Sequence, residues 1–179
     1  MLLAEVHYQD KGAQESLCSA LITGLSPLKA DPMFICIGSD RHLLDAFGPL
    51  TGTMLKGQSP GLILCGTLEK PLHAQNLLSG LREARQLYGN RLIVAIDASA
   101  GKEEEIGLLR IKQGGLVPGK ALAKNLPTVG QLAITGVVDV SLSQGGIRKH
   151  RYPGLALVYN MAALLSSAIS EWHDSQYLA

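Results

Sequence analysis

Leu92-Ile93-Val94-Ala95-Ile96 is an unbroken apolar run that stops at Asp97. It is too short for a free-standing helix and shows no polar alternation, which is the pattern of a strand buried on both faces. Two similar runs precede it, Met33-Phe34-Ile35-Cys36-Ile37 and Leu62-Ile63-Leu64-Cys65-Gly66. Between the second and third, His73 to Tyr88 carries Leu77, Leu78, Leu81, Ala84 and Leu87 at helical spacing. Upstream, Lys11 to Leu25 places Ala13, Leu17, Leu21 and Leu25 the same way and ends at Ser26-Pro27. Strands alternating with helices imply βαβ units and a largely parallel sheet.

Past Asp97 the pattern changes. Gly107 to Lys112 and Leu132 to Val140 read as strands, the latter from β-branched Ile134, Thr135, Val137 and Val138. Gly114 to Gly130, rich in Gly, Pro and Lys, reads as an ordered loop. A last helix follows Tyr152-Pro153-Gly154 and runs to about His173. The expected fold class is α/β: a three-layer α/β/α sandwich with a mixed, mostly parallel sheet, of the phosphorylase/hydrolase-like kind. One domain is expected over residues 1–179.

Composition narrows the function. Hydrophobic residues make up 46% and charged residues 17%, a globular balance. A net charge of +1 and only 4% aromatics leave neither a basic stripe nor stacking platforms, so no nucleic-acid partner is expected. The apolar segment Leu155 to Ile169 is interrupted by Asn160, Ser166 and Ser167 and is short for a membrane span. Met1 to Gly12 lacks the basic start and long apolar run of a signal peptide. Cys18, Cys36 and Cys65 form no CxxC motif. A cytoplasmic protein without membrane or cofactor is the expectation.

In an open α/β sheet, ligands collect beyond the carboxyl ends of the strands. Asp97 closes its run directly, so its carboxylate is held at that edge; turn capping and a functional role weigh equally. Asp45 follows the first run and could serve as an N-cap for an apolar helix. Two carboxylates brought together there would share a proton, and such a pair activates water and protonates a leaving group. Alternatively the pair would hold a metal with a histidine, the candidate set being Asp45, Asp97 and His73. His73 is the histidine best placed to join them, or it is a polar residue at a helix start. His42, in the same loop as Asp45, reads as solvated. Arg41 is a substrate-contact candidate, and Ser39 sits at a strand tip. Neither Ser39 nor Ser99 stands in a GxSxG turn, so a serine nucleophile is not expected. Cys36 and Cys65 lie inside strands, where thiols are poor nucleophiles.

The loop sequences carry a resemblance. Cys36-Ile37-Gly38-Ser39-Asp40-Arg41-His42-Leu43-Leu44-Asp45-Ala46-Phe47-Gly48-Pro49-Leu50 resembles the first signature of the YyaC family of sporulation proteins, often labelled spore proteases. The likeness continues through Gly66 to Leu77, Ala95-Ile96-Asp97-Ala98, Val117-Pro118-Gly119, Leu126 to Gly130 and Ile134 to Val138. That family is similar in turn to the germination protease of bacterial spores and to the hydrogenase-maturation endopeptidases, α/β proteins with a mixed sheet. The first of these has a DALGP-type loop and a later Ile-Asp-Ala, whose aspartates are its proposed catalytic pair; Asp45 and Asp97 match them. The maturation endopeptidases add a histidine from a later loop, which has no counterpart between Ala74 and Lys149. The germination protease has a glycine-rich run where this chain has Lys120 to Asn125, and if that loop binds peptide, either the substrate differs or activity is lost. The resemblance implies a peptidase acting on a peptide or protein through Asp45 and Asp97, with His73, Arg41 and Ser39 at the cleft. The alternatives it leaves are a non-catalytic peptide- or ligand-binding factor and a metal-dependent hydrolase.

Overall fold

A computed structural model describes residues 1–26, 31–118, 127–140 and 154–176. In chain order the elements are β1 (Leu2–His7), α1 (Ala13–Leu25), β2 (Met33–Cys36), α2 (Phe47–Gln58), β3 (Ile63–Cys65), α3 (Leu77–Tyr88), β4 (Ile93–Gly101), β5 (Leu108–Gln113), β6 (Leu132–Val140) and α4 (Leu155–Ser175). The strands form one sheet in the order β1-β5-β6-β4-β2-β3. Pairings β2/β3, β2/β4 and β4/β6 are parallel, and β5 runs antiparallel to both β6 and β1. This is the expected α/β fold with a mixed sheet.

Alternation along the strands divides the core. Phe34, Cys36, Val94, Ile96, Leu132 and Ile134 pack with α1, α2 and α4 on one face. Met33, Ile35, Ile93 and Ala95 pack with Leu77, Leu81 and Ala84 of α3 on the other. Both faces of β2 and the start of β4 are therefore covered, which is why those runs carry no polar residue. Each large apolar side chain fully buried this way contributes roughly 1.5–3 kcal/mol, and Phe34, Phe47, Leu17 and Leu21 are among those with no exposure.

Three sequence expectations are corrected and one strand is added. The run Leu62 to Gly66 becomes β3, only half-buried, because it lies at the sheet edge. β4 does not stop at Asp97 but continues to Gly101, since β6 runs beside it and Asp97 pairs with Thr135. The helix expected from His73 starts at Leu77, leaving His73 in a loop. β1, unforeseen from the sequence, adds an antiparallel edge strand held by β5, where Arg110 pairs with both Glu5 and Glu105. Of the loop Gly114 to Gly130, the stems Leu116 and Val129 exchange backbone hydrogen bonds at 3.0 and 2.8 Å, and residues 119–126 lie outside the described residues. Those stems stand at the amino end of β4, where Gln131 donates to the Ile93 carbonyl. Among the described residues no helix is long and apolar enough to cross a membrane.

The order of strands matters for the site. After β2 the chain moves outward to β3, then returns past β2 to place β4 on its other side. The connection through α2 covers one face and that through α3 the other, so the strand order reverses at the carboxyl ends of β2 and β4, the place where an open α/β sheet forms its crevice.

Candidate active site

Two backbone stitches build the crevice. The pairing of β2 with β4 runs to Cys36 opposite Ile96, and the Ile37 N–H then donates to the Ile96 carbonyl at 2.7 Å. The next residue on β4 is Asp97, so its carboxylate lies where β2 has given way to the Gly38–Asp45 loop. By alternation from Ile93 and Ala95, Asp97 points to the α3 side of the sheet. The second stitch joins the loops: the Gly38 N–H donates to the Leu72 carbonyl at 2.8 Å, and Ile37 bridges Leu72 in parallel. Leu72 is buried, and His73 follows it.

The loop after β2 is tight. Gly38 adopts φ 144°, and a Cβ there would overlap the Asp45 carbonyl oxygen. Only glycine accepts that backbone beside that neighbour. Gly48 allows α2 to start against the end of β2, because a Cβ on it would overlap the Ile37 carbonyl oxygen. The loop closes through Ser39 N–H donating to the Asp45 carbonyl at 2.9 Å.

Asp45 is the last residue of a 3₁₀ turn, Leu43–Asp45, not a cap: α2 begins after Ala46 and has no side-chain cap. The capping alternative therefore fails for Asp45. Its side chain is half-buried. Burial pushes its carboxyl above the usual range, while His42, His73 and the Ser39 backbone N–H act in the opposite direction. Asp97 is 9% exposed. Burial first, and the neighbouring Asp45 charge second, push its carboxyl up to about 8, against a small lowering by the Ala98 N–H. The two aspartates therefore lie within electrostatic reach of each other, Asp97 holding a proton at neutral pH.

The other sequence candidates separate. His73 reaches Asp45 electrostatically. His42, read as solvated, is exposed but acts on Asp45 more strongly than His73 does. Its place three residues before Asp45 in a short loop was the available signal. Ser39 is buried, and its hydroxyl accepts the Arg41 N–H at 3.1 Å, so it braces the loop. Arg41 is exposed. The side chain that sequence reasoning missed is Asn76, whose amide ties His73 in place. An Asn immediately before an apolar helix was its signal, lost because the helix was expected to start at His73.

Among the described residues no three His, Cys, Asp or Glu side chains converge as a ligand set, and Asp45, Asp97 and His73 do not form one there. Thiol chemistry is disfavoured: Cys36 is fully buried, and burial followed by the nearby Cys65 pushes its thiol up to about 12.

The class defined by this sheet is that of an α/β protein with a mixed six-stranded sheet. A hydrogenase maturation protease, HycI from Thermococcus kodakarensis KOD1, superposes with a TM-score of 0.53 at 19% identity, covering 86% of this chain and 98% of that one. That likeness is one of fold. The chain belongs to the family described as "Protein of unknown function (DUF1256)", whose model matches residues 5–168. It is 33% identical over 181 residues to "Uncharacterized protein YyaC" of Bacillus subtilis strain 168, spanning 96% of this chain and 86% of that protein.

Proposed function

We propose that the protein is a sporulation-associated, cytoplasmic peptidase, formed as one domain, that hydrolyses a peptide bond with Asp45 and Asp97. The observation that carries this reading is the placement of two electrostatically coupled carboxylates at the crevice between β2 and β4. Unequal environments assign the roles. Asp45, half-buried and beside two histidines, is the ionised member; Asp97, buried, holds the proton.

In this mechanism Asp45 takes a proton from a water whose oxygen adds to the peptide carbonyl carbon. Asp97 gives its proton to the carbonyl oxygen. The tetrahedral adduct then collapses: the C–N bond breaks, the amine nitrogen takes the proton from Asp45, and one hydroxyl returns its proton to Asp97 as the acid forms. Both aspartates end as they began. Arg41, exposed on the same loop, is the substrate-contact residue.

The test is cleavage of spore-extract proteins by the unmutated chain and by Asp45→Asn and Asp97→Asn. Loss of cleavage in both variants supports the reading, and no cleavage by the unmutated chain, with or without added metal, ends it. A second reading is favoured by the burial of Asp97, which leaves little of its carboxyl open to a substrate. On that reading the crevice binds a peptide without cutting it, and the unmutated chain leaves a bound peptide intact.

A further inference from the structure

The segment between Pro71 and Asn76 is knotted around one side chain. The Asn76 amide nitrogen Nδ2 donates to the Pro71 carbonyl at 3.0 Å, and its Oδ1 accepts the His73 backbone N–H at 2.8 Å. A backbone N–H can only donate, which fixes the amide's orientation. The Asn76 N–H in turn donates to the His73 carbonyl at 3.0 Å. Asn76 stands at the start of α3 but gives that helix no side-chain cap. Its polar atoms serve the His73 loop instead.

The imidazole is fixed by the same turn. The Gln75 backbone N–H points at His73 Nδ1 from 3.3 Å. Nδ1 must therefore be an acceptor, and the neutral ring carries its hydrogen on Nε2. The loop as a whole is pinned to the end of β2 by Gly38 and Leu72, which brings His73 within electrostatic reach of Asp45.

We propose that Asn76 is a positioning residue that holds His73 in its Nε2–H tautomer and presents that N–H toward the Asp45 side of the crevice. The inference rests on the Asp45–Asp97 site proposed above, though not on its being catalytic. His73 would then be a directed hydrogen-bond donor at the crevice, serving either Asp45 or the carbonyl oxygen of a bound peptide.

The experiment is two-bond ¹H–¹⁵N correlation of the imidazole nitrogens in ¹⁵N-labelled full-length protein, at a pH where His73 is neutral. The expected spectrum shows His73 protonated on Nε2, with ring resonances that shift in Asp45→Asn. In Asn76→Ala the tautomers mix and the response to Asp45→Asn is lost. Asn76→Asp, which keeps the acceptor for the His73 N–H, largely retains the Nε2–H form and guards against a merely unfolded alanine variant. A His73 protonated on Nδ1, or a tautomer unchanged by Asn76→Ala in a folded protein, overturns the proposal. Where cleavage is measurable, Asn76→Ala lowers kcat roughly tenfold or more with KM little changed. An inactive wild-type chain with the expected spectrum ends the peptidase reading and leaves this one standing.

Discussion

Ser39 donates its backbone N–H to the carbonyl oxygen of Asp45 at 2.9 Å, so the candidate base hangs from the main chain of its own loop and not from a helix cap. The Ser39 hydroxyl adds a second tie through the Arg41 N–H. The position of the Asp45 carboxylate is thus set by the path of the backbone between Gly38 and Ala46.

That path depends on Gly38. With φ at 144° and the Asp45 carbonyl oxygen where a Cβ would sit, Gly38→Ala forces the loop to open. The expected cost is about 2–4 kcal/mol, from backbone strain and a broken loop closure. Gly57, inside α2 with open space where a Cβ would sit, is the control, and its alanine variant is at least as stable as wild type. Urea unfolding of both variants checks this, and a Gly38→Ala protein as stable as wild type would show that the loop does not fix Asp45.

Asp97 makes stability depend on pH in a defined direction. Its folded carboxyl is raised to about 8, above the unfolded value of roughly 3.9. Below the unfolded value both states carry the proton and the stabilising contribution is fully present. As pH rises the unfolded chain releases its proton first, so the contribution declines and is gone above the folded value. Asp45, also raised, acts with the same sign. Asp97→Asn removes the larger titration. The stability of wild type relative to Asp97→Asn should therefore fall by roughly 1 kcal/mol per pH unit from about pH 5 to about pH 8. Denaturant melts at each pH test it, and a pH-independent difference would mean that Asp97 titrates normally.

Much of this arrangement could be read from the chain, because its strongest signals are local. The runs at Met33 and Leu92 are uniformly apolar since α1, α2 and α4 cover one face and α3 the other, and the helical spacing of Leu17, Leu21 and Leu25 survives intact. Failures came where a distant partner decides. β1 is half-exposed, and its charged residue Glu5 is satisfied by Arg110, 105 positions away. Asp97 to Gly101 reads as a turn, yet it is strand because Thr135 to Val140 pairs alongside. An apolar run such as Leu62 to Gly66 looks the same at a sheet's edge as at its centre. At the site, residue types pointed to Asp45 and Asp97, whereas the roles of Asn76 and His42 depend on loop geometry that no periodicity encodes.

Cys36 and Cys65 offer a check on the core. Cys36 is fully buried with its thiol pushed up to about 12, while Cys65 is only partly buried at the edge strand. In native protein near neutral pH, a thiol reagent should modify Cys36 only after unfolding, and Cys65 faster than Cys36. Peptide mapping after timed labelling separates them, and early modification of Cys36 would contradict the packing of β2 beneath α2.

The coupling between the aspartates can be measured without any substrate. Asp45 is the second cause of the raised Asp97 carboxyl, after burial. Replacing Asp45 by Asn removes a like charge but leaves the desolvation, so the Asp97 pKa should drop in Asp45→Asn while remaining above the ordinary carboxylate range. The reverse experiment is asymmetric. Asp97 holds its proton at neutral pH and then imposes no charge, so Asp97→Asn should leave the Asp45 titration nearly where it was. Carboxyl ¹³C titrations of the two single variants read both effects. An unchanged Asp97 in Asp45→Asn would separate the two carboxylates and remove the proton-sharing pair on which hydrolysis by this crevice depends. A fall to the ordinary value would instead assign the whole shift to Asp45 and require water to reach Asp97, opening the route that a substrate would need.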